Sequence, residues 1–132
     1  MKKLVVFAGL SLALFSCGKN EAVPYISLEG TSWRWVSTTN DSTFFEDTAS
    51  STKTQLLTFI DYKTFDWKRN DTAFASGTYL YGMKQSVLMG KKKFIANFSG
   101  VQTPFILTRN VDTLWLQEDK ATGGVRFRYF KN

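Results

Sequence analysis

The residues best suited to chemistry in this chain are one cysteine, Cys17, and two adjacent acid pairs, Glu46-Asp47 and Glu118-Asp119. The chain has no histidine and no second cysteine. These absences exclude Ser-His-Asp and Cys-His nucleophile systems and the usual zinc and copper ligand sets. Carboxylate chemistry of the glycosidase kind remains, but both acid pairs lie in predicted loops and turns, where solvated acids are expected. The sequence therefore predicts a protein that is not an enzyme, without catalytic residues, bound metal or cofactor.

The segment that ends at Cys17 has the pattern of an export signal. Lys2 and Lys3 are followed by an apolar run from Leu4 to Phe15, and the small residue Ser16 precedes the cysteine. A transmembrane helix needs about 20 apolar residues, and this run is shorter. We therefore expect residues 1–16 to be a cleaved signal peptide rather than a membrane span.

Leu14-Phe15-Ser16-Cys17 resembles the bacterial lipobox, in which the cysteine thiol receives a diacylglyceryl group. The resemblance implies cleavage before Cys17 and acylation, for example by palmitate, of the new amino terminus. The alternative is an ordinary signal peptide with an incidental cysteine, although an unpaired thiol is a liability in an oxidising compartment. Two or three acyl chains on one residue would hold the protein on a membrane almost irreversibly.

The residues after Cys17 bear on localisation. Gly18, rather than an aspartate, is compatible with sorting to the outer membrane, and Lys19-Asn20-Glu21 partly resembles the surface-export signal of Bacteroides-like lipoproteins. The expected location is the bacterial outer membrane, on either its periplasmic or its outer face. Loss of Lys2 and Lys3 lowers the net charge from +6 to +4. This charge suits solubility, and the location argues against a nucleic-acid partner; the oligomeric state is not indicated.

The remaining chain has the composition of one sheet-forming domain. Residues 17–27, which include Pro24, are predicted to form a lipidated tether, and residues 28–132 suffice for a single core. Aromatic residues make up 16% of the sequence, and alternation such as that of Trp33 and Trp35 against Arg34 and Val36 is typical of half-buried strands.

Short strands with turn signals between them recur through the domain. We predict strands near residues 30–37, 54–60, 64–69, 75–81, 86–89, 94–98, 105–109, 114–118 and 125–129, with a hairpin turn around Gly82-Met83-Lys84. Residues 40–52 are predicted to be an exposed loop that tucks Phe44 and Phe45 inward and can hold a short edge strand or helix. The expected fold is all-β: an antiparallel up-and-down meander of eight or nine strands, closed into a barrel because closure removes exposed edges.

Four short stretches resemble the lipocalin-like lipoprotein domains of Bacteroides-type bacteria. They are Leu28-x-Gly30-x-x-Trp33, Leu57-Thr58-Phe59, Gly77-Thr78-Tyr79 and Leu114-Trp115-Leu116. The resemblance extends over residues 28–131 and implies a small lipid-anchored lipocalin-like barrel that binds a ligand.

An eight-stranded barrel can be filled by its own side chains or can enclose one small ligand. If it encloses one, the expected partner is a small apolar or glycan-like molecule, and the candidate contacts are Trp33, Trp35, Trp67, Tyr79 and Trp115. If it is filled, a structural or interaction module of an envelope complex is expected instead. An enclosed void of a few hundred cubic ångströms distinguishes the two, since ligand cavities have such volumes.

Overall fold

A computed structural model of the chain describes residues 27–40, 42–43 and 45–132. They form nine strands and no helix: β1 Thr31–Asn40, β2 Phe45–Thr48, β3 Gln55–Phe59, β4 Thr64–Arg69, β5 Thr72–Gln85, β6 Lys92–Phe98, β7 Phe105–Arg109, β8 Thr113–Glu118 and β9 Val125–Lys131. No helical segment able to span a bilayer occurs in these residues. The predicted signal peptide, Cys17, most of the tether, Phe44 and the side chain of Phe45 lie outside the described part.

The strands form one antiparallel barrel in which consecutive strands from β3 to β9 pair with each other. The barrel closes because β1 pairs with β3 on one edge and with β9 on the other. The extra strand, β2, pairs with the second half of β1, beyond the point where β3 ends its pairing. The predicted all-β closed barrel is therefore confirmed, with eight strands in the barrel and one outside it.

The barrel interior is filled by large apolar side chains that alternate along the strands, as predicted. Trp67 is fully buried at the centre, and its ring lies within 6.5 Å of the rings of Phe74, Phe98, Phe105, Phe127 and Tyr129. Leu28, just before β1, is also buried in this core. Burial of each such side chain contributes roughly 1.5–3 kcal/mol, so this core is the main source of stability.

A β-bulge changes the alternation of β1. Trp33 and Trp35 are buried, but the pairing with β9 shifts between Trp35 and Ser37, so that Val36 is the extra residue. After the bulge Thr38 is the residue opposite buried Phe127, and its hydroxyl accepts a hydrogen bond from Trp35 Nε1 at 2.9 Å. The bulge lies where β1 exchanges β3 for β2 as its partner, as is common where strands bend.

The hairpin after β5 differs from the prediction. Gly82 lies within β5, opposite Ile95 of β6, and residues 86–91 form the turn instead. Ser86 Oγ donates to Asp119 Oδ1 at 2.7 Å, and the amide of Leu88 donates to the same oxygen at 3.0 Å. Asp119 therefore holds this turn beside the end of β8. The predicted turn at Gly82-Met83-Lys84 and the predicted strand at residues 86–89 were both wrong, because the contact that fixes the turn is distant in sequence.

The other predicted elements agree closely with the structure. The β4–β5 turn has two central residues with positive φ, Asn70 and Asp71, as a type I′ hairpin turn requires. The segment predicted to be an exposed loop contains β2, the short edge strand that the prediction allowed there.

Candidate functional site

The interior of the barrel holds no ligand-sized chamber among the described residues. The space between the strands is occupied by the sixteen-residue buried cluster around Trp67, and the clefts described below are partly open to solvent. The result corresponds to the filled barrel considered from the sequence. Among the described residues, space beside the strands is found in clefts at the end and on the outside of the barrel.

Four of the five candidate ligand contacts belong to the buried core, and three of them reach none of the clefts. Trp33, Trp67 and Tyr79 are at most 2% exposed. Their polar atoms are satisfied within the protein: Trp33 Nε1 donates to Thr31 Oγ1 at 2.8 Å, and the Tyr79 hydroxyl donates to the Asp61 carbonyl at 2.7 Å. These side chains support the barrel and line none of the clefts described below.

The other two candidates reach the surface at separate places. Trp35 is buried but its edge lines two adjoining clefts. Trp115 is half-buried on the outer face of β8, where the guanidinium of Arg126 lies 5.5 Å from its ring centre. It lines a small cleft of about 160 Å³. The structure does not bring Trp35 and Trp115 together.

One cleft lies on the outer side of the barrel where β1 leaves β3. We call it the seam cleft. Its volume is about 520 Å³, within the range of small-molecule sites. Its walls are formed by Arg34, Trp35, Ala49, Ser50, Thr54, Gln55, Leu56, Lys68, Asp71 and Asn132. Half of these residues carry a charge or an amide, and Trp35, Ala49 and Leu56 add apolar surface, so the cleft can contact both polar groups and apolar faces of a ligand.

A second cleft, of about 260 Å³, adjoins the first at the end of the barrel, and we call it the mouth cleft. The two share Trp35, Thr54 and Gln55. The remaining walls of the mouth cleft are Asp47, Lys53, Arg69 and Asn70. Because three residues belong to both clefts, one ligand could extend from the seam to the barrel end.

The segment between β2 and β3 is fixed against the β4–β5 turn. The amide of Thr54 donates to Asn70 Oδ1, and the amide of Asn70 donates to the Thr54 carbonyl, both at 2.8 Å. Lys53 also forms an ion pair with Asp47, with 3.0 Å between Nζ and Oδ1. These contacts shape the wall that both clefts share.

Arg69 is the unusual residue of the mouth cleft. It follows Phe65 and Trp67 at two-residue intervals on the inner face of β4, so a cation ends a row of buried rings. The guanidinium carbon lies 3.5 Å from the ring centre of Phe74 and 5.6 Å from that of Trp67. Its Nε is shielded from water and has no hydrogen-bond partner in the described residues. Such an unpaired buried donor costs free energy.

The electrostatics of this end reflect burial. Desolvation lowers the pKa of Arg69 from its ordinary value, although the group remains a cation at any physiological pH. Burial also raises the pKa of the Tyr129 hydroxyl, which therefore stays protonated. Its proton is donated to Gln55 Oε1 at 3.2 Å, and Trp67 Nε1 donates to the same oxygen at 3.4 Å. Gln55 thus joins the core to both clefts.

The predicted acid pairs do not form a catalytic arrangement among the described residues. Glu118 accepts a hydrogen bond from the Val125 amide and lies 3.7 Å from Lys120 Nζ. Asp119, expected to be solvated, is buried. Burial tends to raise its pKa, but hydrogen bonds from Leu88, Ser86 and Val87 outweigh this and lower it. The described residues contain no cluster of three or more metal-ligating side chains.

Comparisons with protein-family models, curated proteins and solved structures give no match to this chain. Its role must therefore be inferred from its residues and from the geometry of the two clefts.

Proposed function

We propose that this chain is a lipid-anchored lipoprotein of the bacterial outer membrane whose non-enzymatic barrel binds a small glycan-like ligand in the seam cleft. The proposed anchor rests on the lipobox-like stretch that ends at Cys17 and on the basic and apolar residues before it. The side of the outer membrane is not part of the proposal. The observation that supports the proposed binding is the seam cleft.

The position of the seam cleft supports binding outside the barrel. The interior is occupied by rings, which removes the space that an enclosed apolar ligand would need. The seam cleft instead offers about 520 Å³ beside this rigid core. Half of its lining residues, Arg34, Trp35, Gln55, Leu56 and Lys68, lie on strands, which lowers the entropic cost of ordering them at binding.

The chemistry of the seam cleft favours a polyhydroxylated ligand. Arg34, Lys68, Asp71 and Asn132 supply donors and acceptors on its walls, while Trp35 and Leu56 supply apolar surface. Arg34 Nη2 donates to Asn132 Oδ1 at 2.7 Å, which orients both groups. Sugars present hydroxyl groups around apolar ring faces, and a site with a few placed polar groups and an aromatic edge can contact both.

Isothermal titration calorimetry of the domain with a panel of methyl glycosides and short oligosaccharides tests the proposed binding. We expect saturable binding that the variant Lys68→Ala weakens by about three- to tenfold, since one polar contact contributes about 0.5–1.5 kcal/mol. Lys84→Ala is the matched control, because Lys84 is an exposed lysine on β5 that lines neither cleft. Absence of saturable binding across the panel contradicts the proposal.

The anchor is tested separately by expressing the full chain in a bacterium with labelled palmitate. We expect label and outer-membrane fractionation for the wild type and neither for Cys17→Ala. An unlabelled wild-type chain that is secreted without acyl groups contradicts the anchor while leaving the binding site untouched.

The second candidate function is an interaction module that acts through its outer surface, and it has its own supporting observation. The turn of residues 86–91 is held by Asp119 yet exposes Val87 at 65% and Met89 at 46%. Exposed apolar side chains on a fixed turn are typical of contact surfaces. This function would be favoured if no glycoside binds and if a protein partner that binds the wild type no longer binds the Val87→Ser variant.

A further inference from the structure

We propose that Arg69 binds a carboxylate of the ligand in the seam cleft, so that the ligand is an acidic glycan rather than a neutral one. This inference rests on the proposed function and assigns the chemical class of its ligand. The site is the mouth cleft, where the acidic group would lie, with the sugar ring in the adjoining seam cleft.

The first support is the unmet hydrogen-bonding capacity of Arg69. Its Nε is shielded from solvent and lacks a partner in the described residues. A guanidinium carries five N–H donors and no acceptor, and Arg69 lines the mouth cleft, so an acceptor in the cleft can be bound by those of its donors that face the cleft. An unpaired buried donor raises the free energy of the ligand-free protein. A hydrogen bond from the guanidinium to a bound oxyanion is favourable because both groups are charged.

The second support is that no carboxylate of the described residues neutralises Arg69. The ion pairs in this part of the chain are Lys53 with Asp47, Lys68 with Asp66, and Lys120 with Glu118. Asp47 lines the same cleft as Arg69, but its carboxylate lies 3.0 Å from Lys53 Nζ. The positive charge of Arg69 is therefore left for a ligand.

The third support is that the guanidinium is held in place. It lies 3.5 Å from the ring centre of Phe74, which a bulge in the β4–β5 pairing places beside Arg69. Stacking of this kind fixes the plane of the fork, and a fixed fork can donate two parallel hydrogen bonds to a planar carboxylate. A tetrahedral phosphate can accept from the same fork, so the two anions must be distinguished by experiment.

The fourth support is the charge of the continuous cleft. The walls of the two clefts contain four cations, Arg34, Lys53, Lys68 and Arg69, against two anions, Asp47 and Asp71. The excess of positive charge favours an anionic ligand, and a cleft focuses this field more strongly than a flat surface does.

Nuclear magnetic resonance of the Arg69 Nε–H group provides the test, since the signal is assigned by its absence in Arg69→Met. The wild-type domain is titrated with methyl glucuronide, methyl glucoside and inorganic phosphate. We expect the glucuronide to shift this signal in a saturable way and the neutral glucoside to leave it unchanged. A signal that moves with phosphate at lower concentration than with glucuronide overturns the carboxylate assignment.

Calorimetry with the same glycosides separates this inference from the proposed function. We expect Arg69→Met to lose about tenfold in affinity for the glucuronide and less than about twofold for the glucoside. Arg109→Met is the control, because Arg109 also lies over a tryptophan ring, that of Trp33 at 5.0 Å, but lines neither cleft. Equal binding of both glycosides, unchanged by Arg69→Met, overturns the inference alone. No binding of either, with a static Arg69 signal, overturns the proposed function with it.

Discussion

Trp67 and Arg69 lie two residues apart on the same face of β4, but the polar atoms of the two side chains differ in whether they have hydrogen-bond partners. Trp67 is surrounded by rings, and its indole nitrogen donates to Gln55. Arg69 ends the same row with an unpaired, shielded Nε beside an open cleft. The contrast shows that the rings in the middle of the barrel have their polar atoms paired, whereas the cation at its mouth lacks a partner for Nε in the described residues.

The first prediction concerns the contribution of the core rings around Trp67 to the free energy of unfolding. Trp67→Ala should lower the free energy of unfolding by about 3–5 kcal/mol, because it leaves a cavity among the core rings. Urea denaturation followed by circular dichroism measures the change. Trp115→Ala is the control, since Trp115 is half-buried on the outer face, and it should cost less than half as much. A similar loss in both variants would mean that the filled interior is not the main source of stability.

The second prediction compares Arg69 with a buried charge whose partners are present. Asp119 accepts hydrogen bonds from Ser86 and Leu88, so Asp119→Ala should cost about 1–3 kcal/mol by leaving both donors unpaired. Asp112→Ala, in the exposed β7–β8 turn, is the matched control. Urea denaturation at neutral pH gives both values, and a neutral effect of Asp119→Ala would show that the turn does not depend on this carboxylate.

The pH dependence of Asp119 follows from the direction of its shift. Its pKa is lower in the folded chain than the ordinary 3.8, so its ionised form stabilises the fold above that value. This contribution is lost as the pH falls below 3.8 and through the folded pKa. Denaturation curves between pH 2 and 6 should therefore converge for the wild type and Asp119→Ala at the acidic end. Curves that stay equally separated would contradict the shift.

The smallest effect on stability is expected at Arg69 itself. Arg69→Met removes the unpaired donor and retains an unbranched side chain against Phe74, so unfolding should change by no more than about 1 kcal/mol in either direction. Urea denaturation of this variant beside Trp67→Ala gives the comparison directly. A loss as large as that of Trp67→Ala would make Arg69 a structural residue instead.

The sequence was sufficient for the parts of this fold that depend on alternation and on local turns. The alternation of Trp33 and Trp35 with Arg34 predicted the inner face at the start of β1, and strand and turn signals predicted the eight strands of the barrel. Closure of the barrel followed from the number of such strands. These features need only neighbouring residues, which is why they could be derived.

The candidate site could not be derived, because it depends on contacts between distant residues. The seam cleft exists because β1 exchanges β3 for β2 beside the bulge at Val36, and no local pattern specifies that exchange. The turn at residues 86–91 depends on Asp119, more than thirty positions away. Arg69 did leave a signal: it continues the inward-facing series of Phe65 and Trp67, and a cation in such a series is a reason to suspect a site.

Mapping of ligand contacts by the backbone amide spectrum tests the central claim most directly. With methyl glucuronide added, we expect the shifted amides to cluster at Leu56, Lys68 and Arg69, around the two clefts, and those of Phe98 and Leu116 in the filled interior to stay fixed. Shifts concentrated in the interior strands, or a spectrum that does not change at all, would contradict it.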